Sequence, residues 1–207
     1  MQAQPAQNTP LPDPKREAIL RHARRSFVSE GYAGTRIEPI ARDAGVSTAT
    51  LYALFDGKAE LFAAVIEDAA VDFERLMRRV QTASGTARER LMYFAGAYAG
   101  FMADPFIRSV FRLVMAERPR FRDVAMKFFA RGKADFGKVL IDSLRELASE
   151  GQLRIARPSW AAGQLMGMIE HPVFFMPLVT GDEVMPVRGI DQIAADAVDT
   201  FMARYGT

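Results

Sequence analysis

Residues 36–55 read RIEPIARDAGVSTATLYALF, and the fold of the whole chain turns on how that stretch is parsed. Ile37, Ile40, Ala41 and Ala44 recur at helical spacing, Gly45 interrupts them, and Thr48 to Phe55 resumes the pattern, which predicts two short helices across a tight turn. Helices that cross at such a turn need apolar side chains on their facing sides, a small residue at closest approach, and a turn residue that tolerates positive φ. Ile40, Ala44, Val46, Leu51 and Leu54 meet the first need, Ala41 the second and Gly45 the third. Ser47 stands where an N-cap hydroxyl accepts a bond from an otherwise orphaned backbone N–H. With Leu51, Leu54 and Phe55 turned inward, the second of these helices leaves Thr48, Ala49, Thr50, Tyr52 and Ala53 facing outward. Those small or hydroxylic groups suit base edges, thymine methyls and phosphate oxygens in a major groove. An unrelated helical hairpin would share the Ala, Gly, Val and Leu spacing, but it supplies no packing reason for an exposed Thr-Ala-Thr face.

Upstream, Ile19, Ala23 and Phe27, widened by Leu20 and Val28, predict a first helix from Lys15 to a stop at Gly31, with a turn at Gly34. Over its first eleven residues Lys15, Arg16, Arg21, Arg24 and Arg25 face only Glu17, a cluster that suits either phosphates or a solvated face. Residues 1–14 hold Gln2, Gln4 and Gln7 with Pro5, Pro10, Pro12 and Pro14 and almost no large apolar side chain, the composition of a disordered arm. Without Lys or Arg, that arm is poorly suited to a minor groove.

Downstream, Asp56-Gly57 leads into a long amphipathic helix from Lys58 to about Ser84. Further helices are predicted over 87–103, 105–117, 121–150, 159–169 or beyond, and 190–205, with Pro105, Pro119, Gly151 and Pro158 in the gaps. Sustained strand-like alternation is absent from the sequence. The expectation is an all-α chain: residues 15–61 form a three-helix helix-turn-helix DNA-binding domain, and residues 62–207 form a helical ligand-binding and dimerisation domain.

The residues AGVS at 44–47, then Thr50-Leu51-Tyr52, Phe55 and Lys58 to Leu61, preceded by Phe27, Glu30-Gly31-Tyr32 and Thr35, resemble the signature of TetR/AcrR-family transcriptional regulators. The segment FRLVMAERPRFRDVAMKFF at 111–129 resembles the ligand-binding domains of the AefR-like branch. The resemblance implies Thr48, Ala49 and Tyr52 nearest the bases, Ser47 and Thr50 nearest the backbone, and Lys58 on a phosphate from the start of the fourth helix. Three features depart from the family pattern. Ala53-Leu54 stands where relatives carry an aromatic or His pair, Arg36 where they carry Ser or Thr, and Pro39 where they carry an acid. Arg36 can replace a lost phosphate contact, and Thr35 with Glu38 offers a capping box one residue earlier.

In the C-terminal domain, Met102, Phe111, Met115, Phe128, Phe129, Met166 and Phe174 are candidates to line an adaptable apolar cavity, although each also suits an ordinary core. Glu170 and His171 suit either a polar end of that cavity or a solvated helix end broken by Pro172, and Trp160 reads as a packing anchor. Ile190, Ala194, Ala197 and Phe201 form a stripe on the last helix that, with Leu165, suits either a four-helix dimer interface of the kind the resemblance implies or an intramolecular core.

The chain has 207 residues, 49% hydrophobic and 25% charged, ample for a sizeable core. Its net charge of +2 is nearly silent about partners. The absence of Cys excludes disulfides, thiolate metal sites and a cysteine nucleophile, and only His22 and His171 remain as imidazoles, so no metal or cofactor is expected. No apolar run approaches a membrane span and no leader pattern precedes the first helix, so the expected location is the cytoplasm. The expected function is a homodimeric repressor released from palindromic operator DNA by an apolar or aromatic small-molecule effector. The alternatives are an activator or constitutive regulator, and an enzyme that merely retains the helix-turn-helix. Little supports the enzyme, since no phosphate loop, paired-His motif or nucleophile and base pair is present.

Overall fold

The computed structural model describes residues 13–81 and 84–207, and residues 1–12 of the arm expected over 1–14 lie outside them. The chain divides into two compact units after Val65. Among the described residues every element is helical apart from an isolated antiparallel bridge between Leu153 and Gly206.

In the first unit, α1 spans Pro14–Gly34 and takes in Pro14, the last residue assigned above to the arm. Asp13 is its N-cap, with Oδ1 accepting from the Lys15 N–H at 2.9 Å, and Pro14 occupies the first turn, where a missing N–H costs nothing. Regular helix ends at Gly31, whose φ of 68° breaks the run as its position predicts. α2 spans Ile37–Asp43 and α3 spans Thr48–Leu54. The expected capping box at α2 does not form. The Thr35 hydroxyl donates instead to the Gly31 carbonyl at 2.7 Å, and Arg36 sits at the N-cap without a side-chain bond. Pro39 is thereby the third helical residue, still within the turn whose N–H groups have no intrahelical acceptor, so its ring is tolerated.

The core of this unit is Ile19, Ala23 and Phe27 of α1, Ile40 and Ala41 of α2, Leu51 of α3, Phe55, and Leu61 and Phe62 at the start of α4, which spans Lys58–Gln81. Phe62 meets Phe27 and Tyr32 edge-on at 5.3 and 5.4 Å, geometries that favour ring quadrupoles over face-to-face stacking.

The second unit contains α5 (Ala87–Met102), α6 (Pro105–Glu117), α7 (Arg122–Gly132), α8 (Val139–Ser149), α9 (Pro158–Glu170), α10 (Met176–Thr180) and α11 (Ile190–Tyr205). α7 and α8 are joined by a π-helical segment, Lys133–Lys138, so the single helix expected over 121–150 is continuous but locally widened. A second π segment, His171–Phe175, joins α9 to α10. The expected break at Pro172 therefore does not occur: the widened turn accommodates a residue that lacks an N–H and would clash with the carbonyl four residues back.

α11 packs chiefly on α5 and also on α9. Leu165, Ala194, Ala197 and Phe201 are largely buried by packing within this chain, although Ala197 and Phe201 also line shallow surface grooves. Ile190 alone of the expected interface set is exposed.

Arg108 of α6 is 1% exposed, and its Nε donates to Asp182 Oδ1 at 2.6 Å. Arg112 Nη2 donates to the other carboxylate oxygen at 2.7 Å, and Arg108 also donates to the Ala103 carbonyl. Asp182 follows Gly181 at the end of α10 and has φ 69°, the only positive φ at a non-glycine among the described residues. Partial burial would raise its pKa, but the hydrogen bonds from Arg112 and Arg108 outweigh that and hold the carboxyl below the usual range.

Candidate nucleic-acid interface and ligand cavity

The turn between α2 and α3 closes by backbone bonds alone. The Val46 N–H donates to the Ala41 carbonyl at 2.9 Å and the Gly45 N–H to the Arg42 carbonyl at 3.0 Å, a pairing that satisfies the end of α2. It requires the left-handed φ of 70° found at Gly45. A Cβ there would meet nothing within 4 Å, so a substitution is costly only through the backbone. Gly45→Ala should therefore lower the stability of this unit by about 1 kcal/mol and Gly45→Asn by less, as read from melting midpoints. Equal losses would remove φ as the cause.

Ser47 caps α3 as its position predicts, with Oγ accepting from the Thr50 N–H at 3.0 Å and lying 2.9 Å from Thr50 Oγ1. Thr48, Ala49, Tyr52 and Ala53 are exposed on one side of α3, Thr50 and Leu54 are half-buried, and Leu51 is buried. Tyr52 is 52% exposed, a large ring directed away from the core. Arg36 is exposed at the head of α2. Lys58 opens α4, and its Nζ donates to the Ala33 carbonyl at 3.2 Å and lies 4.7 Å from the Tyr32 ring centroid. The ammonium thus already ties α4 to the turn after α1, with further N–H donors in reserve. On α1, Lys15, Arg16, Arg21 and Arg25 are exposed, and the Arg16 guanidinium lies 5.4 Å from the Phe55 ring centroid.

The second unit holds a partly open cavity of about 390 Å³ between α5, α6, the α7 to α8 helix and α9. Met102, Phe111, Phe128, Phe129, Met166 and Glu170 line it, as expected of candidates from the sequence. Met115 and His171 do not: both are exposed, and the His171 ring stacks on Phe175 at 5.7 Å. Phe174 stands behind the wall, packed edge-on against Phe111 at 4.8 Å. Trp160, expected to anchor packing, is exposed.

Sequence reasoning missed Tyr98, Lys133, Phe136, Ile141 and Ser159, which also line the cavity. Tyr98 Oη donates to Glu170 Oε1. Burial pushes the Tyr98 phenol far above its ordinary pKa, and the charge and hydrogen bond of Glu170 push it further, so the phenol remains a donor. Both π segments touch this region: Lys133, Phe136 and Gly137 belong to the first, and Glu170 directly precedes the second. Among the described residues, no group of three or more His, Cys, Asp or Glu side chains could hold a metal ion, and no helix is long and apolar enough to cross a membrane.

Residues 89–207 match the family model of the AefR-like transcriptional repressor C-terminal domain, and residues 19–65 match that of the bacterial regulatory proteins of the tetR family. The chain belongs to the TetR family. As a TetR-family transcriptional regulator it has the family's all-α fold, an N-terminal helix-turn-helix domain followed by a helical domain, and that fold is one of regulators rather than enzymes. A protein from Mesorhizobium loti described as a TetR-family transcriptional regulator superposes with a TM-score of 0.77 at 24% identity, over 93% of this chain and 97% of that one. The flavonoid-responsive regulator FrrA gives 0.71 at 27% identity, over 93% and 97%. SmeT in complex with triclosan gives 0.71 at 22% identity, over 94% and 93%. No curated protein matches the sequence significantly.

Proposed function

We propose that this TetR-family regulator is a repressor that leaves a pseudo-palindromic operator when a small apolar or aromatic effector enters the cavity of its second unit. The observation that carries the reading is the cavity itself. At about 390 Å³ it lies in the range of small-molecule sites, and Tyr98, Phe111, Phe128, Phe129 and Phe136 wall it with rings. FrrA is by name flavonoid-responsive and SmeT was solved with triclosan, so related folds take aromatic molecules. Arg36, Ser47, Thr48, Ala49, Thr50, Tyr52 and Lys58 form the DNA face, with Thr48, Ala49 and Tyr52 toward the bases and Ser47, Thr50 and Lys58 toward the phosphate backbone.

A homodimer presents two copies of α3 to successive major-groove faces about 34–36 Å apart, which makes the operator two-fold symmetric. The dimer uses α9 and α11, where Gly163, Gly167, Met168, Thr200, Phe201 and Arg204 line an open groove continuous with the stripe of Leu165, Ile190, Ala194 and Ala197. Effector binding needs a coupling to DNA affinity of only about 1 to 3 kcal/mol, or roughly 5- to 150-fold.

The test is footprinting on genomic fragments, repeated with a panel of apolar and aromatic compounds. A symmetric footprint that at least one compound erases is the expected result. A footprint indifferent to every compound that binds the protein would overturn the effector part of the reading.

A further inference from the structure

The cavity is apolar on almost every side, yet one end holds a carboxylate. Glu170 accepts one hydrogen bond, from Tyr98 Oη, and among the described residues no Lys, Arg or His lies within ion-pair distance of it. Lys133, the other charged side chain on the wall, is exposed and makes no ion pair with Glu170. A carboxylate has about four lone-pair sites, and Tyr98 satisfies one. Glu170 is half-buried, so in the empty pocket water can meet its other lone pairs, and an occupant that displaces this water must supply donors in its place.

We propose that the Tyr98–Glu170 pair is the polar end of the ligand site and selects a flat apolar molecule that carries a hydrogen-bond donor, ammonium or phenolic, over one that ends in a carboxylate. Tyr98 supplies the one internal donor, to Oε1 of Glu170, so the carboxylate keeps acceptor capacity for an occupant, while the rings of Phe111, Phe128 and Phe136 take the flat body. A cationic donor gains twice, from the carboxylate and from the ring faces. A carboxylate ligand meets like charge at that end and has only Lys133 to turn to.

The inference rests on reading this cavity as a ligand site, so binding is measured on the full chain at pH 7 without DNA. Four probes share one naphthalene body: 1-naphthylmethylamine, 2-naphthol, 2-methoxynaphthalene and 1-naphthoate. The amine and the naphthol should bind roughly tenfold or more tighter than the methyl ether and the naphthoate. Glu170→Gln, which keeps an oxygen for Tyr98, should cost the amine roughly tenfold and narrow its gap from naphthoate. Loss confined to the amine assigns the selection to charge, and equal loss of amine and naphthol assigns it to the bare acceptor.

Tyr98→Phe keeps the ring and removes the internal donor, and should preserve or widen the preference for donors even if Glu170→Gln folds poorly. Naphthoate or the methyl ether binding as tightly as the best donor overturns the proposal. So does an unchanged order in folded Glu170→Gln, loss of naphthoate binding in Lys133→Gln as the main effect, or no binding by any probe. Probes that bind in the stated order but leave the operator complex intact support the selectivity and overturn only the sensing role.

Discussion

Asp182→Ala should destabilise the second unit by about 3 kcal/mol, the lower end of the cost of breaking a buried ion pair by removing one partner. The reason lies with the group left behind. Arg108 is 1% exposed and would keep only the Ala103 carbonyl, so its guanidinium would remain buried without a counter-charge. The lower end applies because Asp182 is itself about a third exposed and water can partly reach the pair. Two controls separate the bridge from backbone strain. Asp182→Gly removes the carboxylate but relieves the positive φ of 69°, so it should lose somewhat less than Ala, and a neutral Gly variant would sink the ion-pair account. Asp182→Asn tolerates the same φ and keeps one acceptor, so it should fall between wild type and Gly.

Acid should erode the same difference. Because the folded-state pKa of Asp182 is held below its unfolded value, the bridge contributes fully above the unfolded carboxylate range near pH ~4. That contribution is lost as pH falls through the depressed folded value. Melting curves of wild type and Asp182→Ala should therefore lie furthest apart at neutral pH and converge in acid. A gap that widened on acidification would contradict the sign.

The contrast between this bridge and the helix-turn-helix explains what was legible in the sequence. The Ala41 to Ser47 turn is built from neighbours: Gly45 supplies its φ and Ser47 its cap, and every bond that closes it spans five residues or fewer. Asp182 and Arg108 are 74 residues apart, and Tyr98 and Glu170 are 72 apart. A one-dimensional pattern carries no record of such pairings. The Ala194 and Ala197 stripe is ambiguous in a different way, since small residues at helical spacing admit a partner helix equally well from the same chain or from another. The π segments were hidden because their residues have ordinary helical φ and ψ preferences, and only Pro172 betrays a place where α geometry could not continue unaltered. The cavity was half legible. Phe and Met richness marked the right segments, while Met115 lay on the wrong face of α6.

Tyr52→Ala should weaken operator binding by roughly 10- to 100-fold, the range for losing a good groove contact, and should leave the melting temperature unchanged. The two halves of that expectation follow from one geometry: a ring 52% exposed on the outward side of α3 contributes little to folding, so whatever it does is done to a partner. Tyr52→Phe then separates ring contact with a thymine methyl from a hydroxyl bond to a base or phosphate. Lys58 needs a different design because its ammonium also donates to Ala33 and covers Tyr32, so Lys58→Ala would mix lost packing with lost charge. Lys58→Met keeps most of the stem over the ring and removes only the cation. If Lys58 meets a phosphate in each half-site, the slope of log affinity against log salt should flatten by about 2 for a dimer. Tyr52→Phe and Tyr52→Ala should leave that slope nearly intact unless the hydroxyl itself reaches a phosphate. A Tyr52→Ala protein that binds the operator as wild type does would remove α3 from the groove, and with it the DNA face assigned to this unit.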